Sequence, residues 1–107
     1  MQVWKQLSIY TSEGSRLGAR PLHTAMIATA LEQGLYSAIV VKAMEGFGPQ
    51  MAIPTTNKMA LESDLPIEIR ILDEPDRVND FLASQRDALG TCVVVLRDVE
   101  MFLAPQS

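Results

Sequence analysis

The run Pro66-Ile67-Glu68-Ile69-Arg70-Ile71-Leu72 alternates isoleucine with charge at every step. Side chains on a strand point to opposite faces with a period of two, so Ile67, Ile69 and Ile71 share one face, and Glu68 and Arg70 share the other. Such a strand can be dry on one side only. Val3 to Tyr10 repeats the pattern, with Leu7 and Ile9 opposed to Gln6, Ser8 and Tyr10. A chain with two such strands calls for a sheet that is covered by helices on one face and open on the other.

The covering helices are legible in the spacing. Pro21 suits a first helical turn, where its missing N–H costs nothing. Leu22, Met26, Ile27, Ala30 and Leu31 then form a stripe at helical intervals, which Gly34 stops. In the second half, Asp73-Glu74-Pro75 opens a helix with acidic groups at its positive end. Val78, Phe81, Leu82, Gln85 and Leu89 follow one side of it, and Gly90 ends it. Ser37–Met44 and Cys92–Leu96 read as further strands, the latter running on towards Phe102, while the polar, glycine-bearing Thr11–Arg20 reads as a loop. The order is β-α-β, long loop, β-α-β. Two right-handed crossovers in one antiparallel sheet give a ferredoxin-like α+β fold, βαββαβ, with four strands and both helices on one face. The 107 residues are expected to form one domain.

In that topology the first and third strands are central and the second and fourth are edges. The predicted edges, around Ala38–Val41 and Cys92–Leu96, are apolar on both faces. A two-sided apolar edge invites pairing with another chain. The pattern therefore predicts a homo-oligomer and leaves its order open: a trimer and a dimer of face-packed sheets both satisfy it.

Composition excludes several classes. Nine Lys and Arg are scattered among thirteen Asp and Glu, a net charge of −4, whereas nucleic-acid binders concentrate cations on one face. No apolar run approaches the roughly 20 residues that cross a bilayer. The start of the chain lacks the basic and apolar segments of a signal peptide, and one cysteine allows no internal disulfide, so a cytoplasmic location is expected.

Chemistry-bearing residues are few. His23 is the single histidine, expected on the solvated side of the first helix without a carboxylate to orient it. Cys92 sits in an apolar strand with no cation nearby to activate it. One His and one Cys do not furnish a transition-metal site. No catalyst and no resident cofactor are expected. The rival reading, a small enzyme of the dimeric ferredoxin-like barrel type, has only Ser8, Tyr10, Glu68 and Arg70 to draw on; a third is an interaction module without a ligand. A binding site is better supported. About twenty residues connect the second and third strands, far beyond the about 2–5 of an ordinary hairpin. At its start, Gly46 and Gly48 bracket Phe47, a ring placed to stack on a base where the backbone allows close approach. Glu45 is a candidate acceptor for a ribose. Arg16 and Arg20 flank Gly18 just before a helix start, a candidate anion site, and Lys42, Lys58 and Arg97 are further phosphate candidates at strand ends.

With these elements placed, a family resemblance emerges. It is carried by Leu7-Ser8-Ile9-Tyr10, Gly18, Pro21-Leu22, Glu32-Gln33-Gly34-Leu35, Glu45-Gly46-Phe47-Gly48, Ser63-Asp64-Leu65-Pro66 and Leu96-Arg97-Asp98-Val99-Glu100, in this order. The chain resembles the PII-like proteins catalogued as domain of unknown function 190, from Leu7 to about Met101. The resemblance implies a ferredoxin-like fold and a trimer. It also implies a signalling role: a small effector, with an adenine nucleotide as candidate, bound in clefts between subunits. The segment at about 46–65 then corresponds to the loop with which PII proteins touch a protein target, a membrane transporter being one candidate. The sequence departs from the pattern at Pro49-Gln50 and Pro54, where relatives tend to carry small polar residues and a histidine. The glycine-rich phosphate loop of PII proteins proper is here only Gly90-Thr91, so ligand contacts are expected from elsewhere.

Overall fold

The strand Gln2–Ser12 (β1) runs between two antiparallel partners, and this position sets the register of the sheet. The computed structural model describes residues 2–48 and 64–103. After β1 come two short strands, Arg16–Leu17 (β2) and Arg20–Pro21 (β3), the helix Leu22–Glu32 (α1) and the strand Ser37–Lys42 (β4). The second half holds Pro66–Asp73 (β5), the helix Pro75–Leu89 (α2) and Val93–Met101 (β6). The main sheet has the order β4-β5-β1-β6, all antiparallel. This is the expected ferredoxin-like arrangement, with the alternating strands central.

Register explains the core. Leu7 lies opposite Ile71 and Leu96, and Ile9 lies opposite Ile69 and Val94. The four central residues Leu7, Ile9, Ile69 and Ile71 have no exposed surface. Against them pack Leu22, Met26 and Ala30 of α1 and Val78, Phe81 and Leu89 of α2. Each such aliphatic or aromatic side chain contributes about 1.5–3 kcal/mol on burial. The opposite face carries Gln6, Ser8, Glu68 and Arg70, where no helix lies.

A polar knot fastens the end of β5. Asp73 is buried and accepts hydrogen bonds from the Tyr36 amide at 3.0 Å, the Glu74 amide at 2.6 Å and Arg77 Nε at 2.9 Å. One carboxylate thereby joins the entry to β4, the end of β5 and the first turn of α2. Arg77 also donates to the carbonyls of Gln33 and Gly34, capping the end of α1 from outside.

Four expectations need correction. Thr11–Arg20 is not all loop: β1 continues to Ser12, and β2 and β3 form a small hairpin around Gly18, whose φ of 62° suits a residue without Cβ. Leu31 is not in the buried stripe of α1; it is 79% exposed, and Ala25 takes the inward position, because the helix turns its Leu22-Met26-Ala30 line to the sheet. Asp73 is a strand residue tied into the knot rather than a member of an acidic helix start; Pro75 opens α2 and Asp76 supplies its first-turn acid. Pro21 stands one residue before α1, at its cap. The edge strands behave as expected: Ile39 of β4 and Val93, Val95 and Leu96 of β6 are between 40% and 50% exposed in the single chain.

Phe81→Ala should cost about 3–5 kcal/mol in chemical denaturation, because a fully buried ring leaves a cavity. Leu31→Ser should stay within about 0.5 kcal/mol, as expected for an exposed position.

Candidate functional site

Where β4 ends and β5 begins, the sheet opens into a cleft of about 430 Å³. Its walls are mostly apolar: Tyr10, Val41, Ala43, Phe47, Pro66 and Ile67, with Gly46 and Gly48 at the rim and two carboxylates, Glu45 and Glu68. Phe47 is 80% exposed. Gly46 has a φ of 138°, a backbone conformation that a side chain would strain, so glycine there is what turns the chain out of β4 and presents the ring.

The feet of the connection beyond β4 are pinned through Glu13. Its amide donates to the Leu65 carbonyl at 3.1 Å, and the Leu65 amide returns a bond to Glu13 Oε1 at 3.2 Å. Lys42 Nζ reaches Glu13 Oε2 at 2.8 Å, the Gly14 amide donates to Asp64 Oδ1 at 2.9 Å, and the Ala43 amide donates to the Pro66 carbonyl at 3.0 Å. The Lys42 ammonium and the Leu65 amide hold the Glu13 carboxyl below the usual carboxylate range.

On the open face, Glu68 accepts from Ser8 Oγ at 2.7 Å and from Arg70 Nε at 2.9 Å. The Arg70 guanidinium, foremost, and the Ser8 hydroxyl keep its carboxyl ionised below the usual range, with the charge of Arg97 adding to the effect. Tyr10 stands opposite Glu68 in the β1–β5 ladder, so ring and carboxylate enter the cleft side by side.

The sequence-derived candidates thus divide. Glu45, Gly46, Phe47 and Gly48 come together at the cleft. Lys42 sits at the end of β4 but turns to Glu13 and does not line it. Arg16 holds its own hairpin by donating to the Ala19 carbonyl at 2.9 Å, Arg20 is exposed on β3, and Arg97 is exposed on β6; none of the three lines the cleft. Lys58, and with it Pro49, Gln50 and Pro54, lies outside the described residues. Tyr10, Val41, Pro66 and Glu68 are lining residues that the motif reading did not gather. The signal that finds them is register: they share the end of the ladders next to Glu45.

Burial pushes the Cys92 thiol up, away from the reactive thiolate form. His23 is half-buried at the start of α1. Among the described residues no group of His, Cys, Asp and Glu is placed to hold a metal ion, and no described helix is long and apolar enough to cross a membrane.

The model of the DUF190 family, described as Uncharacterized ACR, matches residues 4–101. The chain belongs to this family. A UPF0166 protein of Aquifex aeolicus (strain VF5) is 31% identical over 97 residues, which is 91% of this chain and 91% of that protein. Among solved structures, CPII of Thiomonas intermedia K12 bound to ADP and bicarbonate superposes with a TM-score of 0.61 at 18% identity, over 92% of this chain and 87% of that one. A proposed PII-like signaling protein of Thermus thermophilus gives 0.59 at 11%, over 91% and 87%. At such identities the likeness establishes the fold, and the DUF190 chain has the PII-like one.

The depressed carboxyl of Glu68 fixes a sign. Its stabilising effect is complete above the unfolded carboxylate value of about 4.3 and is lost as the pH falls through the lower folded value. The stability difference between the native chain and Glu68→Gln, measured by urea denaturation, should shrink as the pH is lowered from about 5 to about 3. Above a pH of about 6 it should stay constant.

Proposed function

We propose that this DUF190 chain is a non-enzymatic PII-like sensor that binds a small anionic effector, with an adenine nucleotide as the leading candidate. The observation that carries the reading is Phe47: a large aromatic ring held 80% exposed at the mouth of an apolar cleft by a glycine in a conformation other residues avoid. An unsupported exposed ring has no stabilising use in the chain itself, whereas base–aromatic stacking is worth about 1–3 kcal/mol. Glu45 and Glu68 border the cleft and suit the hydroxyls of a ribose or the amino group of a base.

The cleft carries carboxylates and no free cation among the described residues, so phosphates need cations from beyond it. We infer that neighbouring subunits complete the site, with Arg97, Arg16 and Arg20 as the candidates. The half-exposed apolar edges β4 and β6 favour assembly, and a trimer is the state we propose. That CPII was solved with ADP and bicarbonate makes these two the first ligands to try on this chain. The 46–65 loop, whose feet meet at Glu13, would relay occupancy to a protein target, for which a membrane transporter is a candidate. The lone cysteine supports a cytoplasmic setting. The rival enzyme would need a free base on the open face, and Glu68 is already engaged by Ser8 and Arg70.

Light scattering should give about three times the chain mass of 11.8 kDa. Calorimetric titration with ADP, AMP, cyclic AMP and bicarbonate should yield saturable binding for at least one adenine nucleotide, weakened roughly tenfold or more by Phe47→Ala. A correctly assembled protein that responds to none of the four would overturn the sensor reading.

A further inference from the structure

The Phe47 cleft opens where the sheet runs out of reciprocal backbone bonds. The ladder between β4 and β5 ends at the pair Lys42 and Ile67, and beyond it the Ala43 amide still reaches the Pro66 carbonyl at 3.0 Å. Proline has no N–H to return, so this outermost rung is one-sided. Ala43 and Pro66 both line the cleft, one from each strand. At its opening, the ladder alone holds the two walls weakly.

Glu13, one residue past β1, supplies a brace. Its Oε2 accepts from Lys42 Nζ at 2.8 Å, at the last residue of β4, and its Oε1 accepts from the Leu65 amide at 3.2 Å, one residue before β5. One side chain thereby spans from one wall to the other. The main chain reinforces the contact: the Glu13 amide donates to the Leu65 carbonyl, and the Gly14 amide donates to Asp64 Oδ1 at 2.9 Å. A Cβ on residue 14 would come within 3.2 Å of that oxygen, so glycine is what lets Asp64 close on the backbone. Glu13, Lys42 and Leu65 do not themselves line the cleft. The Lys42 and Glu13 side chains are 55% and 31% exposed, and ion pairs so exposed add little to folding stability. The use of this one is geometric.

We propose that Glu13 is a positioning residue for the Phe47 cleft: it fixes the spacing between the end of β4 and the start of β5, and so tunes the affinity for an effector that it does not touch. The inference deepens the sensor reading above and rests on it. Lys42 serves here as the partner of Glu13 and not as a contact to phosphate, and the two roles make opposite forecasts. A phosphate-binding Lys42 would be released by removal of the Glu13 charge, which would tighten a charged nucleotide. Loss of a spacing residue weakens charged and uncharged ligands alike.

The test compares the native chain with Glu13→Gln, with Lys42→Met and with both together. The glutamine keeps an oxygen for the Leu65 amide and meets the lysine with an uncharged amide. Calorimetric titrations use ADP and, as the uncharged probe, adenosine. Each single variant should weaken both probes by the same factor, roughly three- to fivefold, and the double variant no further than either alone, because the two groups act as one contact. In the chain without ligand, hydrogen exchange at the Ala43 and Leu65 amides should quicken roughly threefold or more in each variant, and that at Leu7 and Ile69 in mid-sheet should not change. A tighter ADP complex in Glu13→Gln, a loss confined to ADP, or unchanged exchange at Ala43 and Leu65 would each overturn the proposal. Failure of the native chain to bind either probe would sink the sensor reading; quicker exchange at the two amides would then still uphold the hold of Glu13 on the walls.

Discussion

Everything in this fold hangs on β1 having two neighbours while only one of its faces is dry. The residues that make that face dry, Leu7 and Ile9, are opposed on both sides by Ile71, Ile69, Leu96 and Val94, so a slip of one position would turn the entire core outward. Such a register has no near competitor. It also dictates what is left over: the reverse face must hold Gln6, Ser8, Glu68 and Arg70, and these satisfy one another across the ladders instead of packing under a third layer.

The sheet was readable because alternation is a local property. Glu68 and Arg70 betray their face from within a seven-residue run, and strand order follows from chain order and crossover handedness. What could not be read depends on contacts distant in sequence. Nothing near Asp73 announces that the Tyr36 amide and Arg77 will meet at its carboxylate, so a helix start was the natural assignment for it. Leu31 looked inward because its spacing from Ile27 fits a stripe, yet the angle at which α1 crosses the sheet is set by Leu22, Met26 and Ala30. The hairpin at Gly18 is too short to show a period. For the site, the glycines around Phe47 were visible as local chemistry, whereas Tyr10 and Glu68 join them only through the pairing of β1 with β5.

The electrostatics of the cleft bear on how such a domain works. Its apolar walls suit a flat ring, but the charges at its border have the wrong sign for phosphate, and among the described residues the nearby cations are either paired or face elsewhere. On the proposed reading, a single chain offers half of a recognition site. The depressed carboxyl of Glu68 and its bidentate neighbour Arg70 keep that side of the border polar and ionised across the neutral range.

Glu13 has a consequence of its own. A single carboxylate serves two tenants, the Lys42 ammonium at the exit of β4 and the Leu65 amide at the entrance of β5, which are the two ends of one long connection. Because those bonds share an anchor, their free energies are linked and the linkage runs in both directions. Whatever draws the lysine away loosens the grip on the opposite strand, and whatever pulls on the opposite strand frees the lysine. The span between them is tethered by a knot that can be untied from either side.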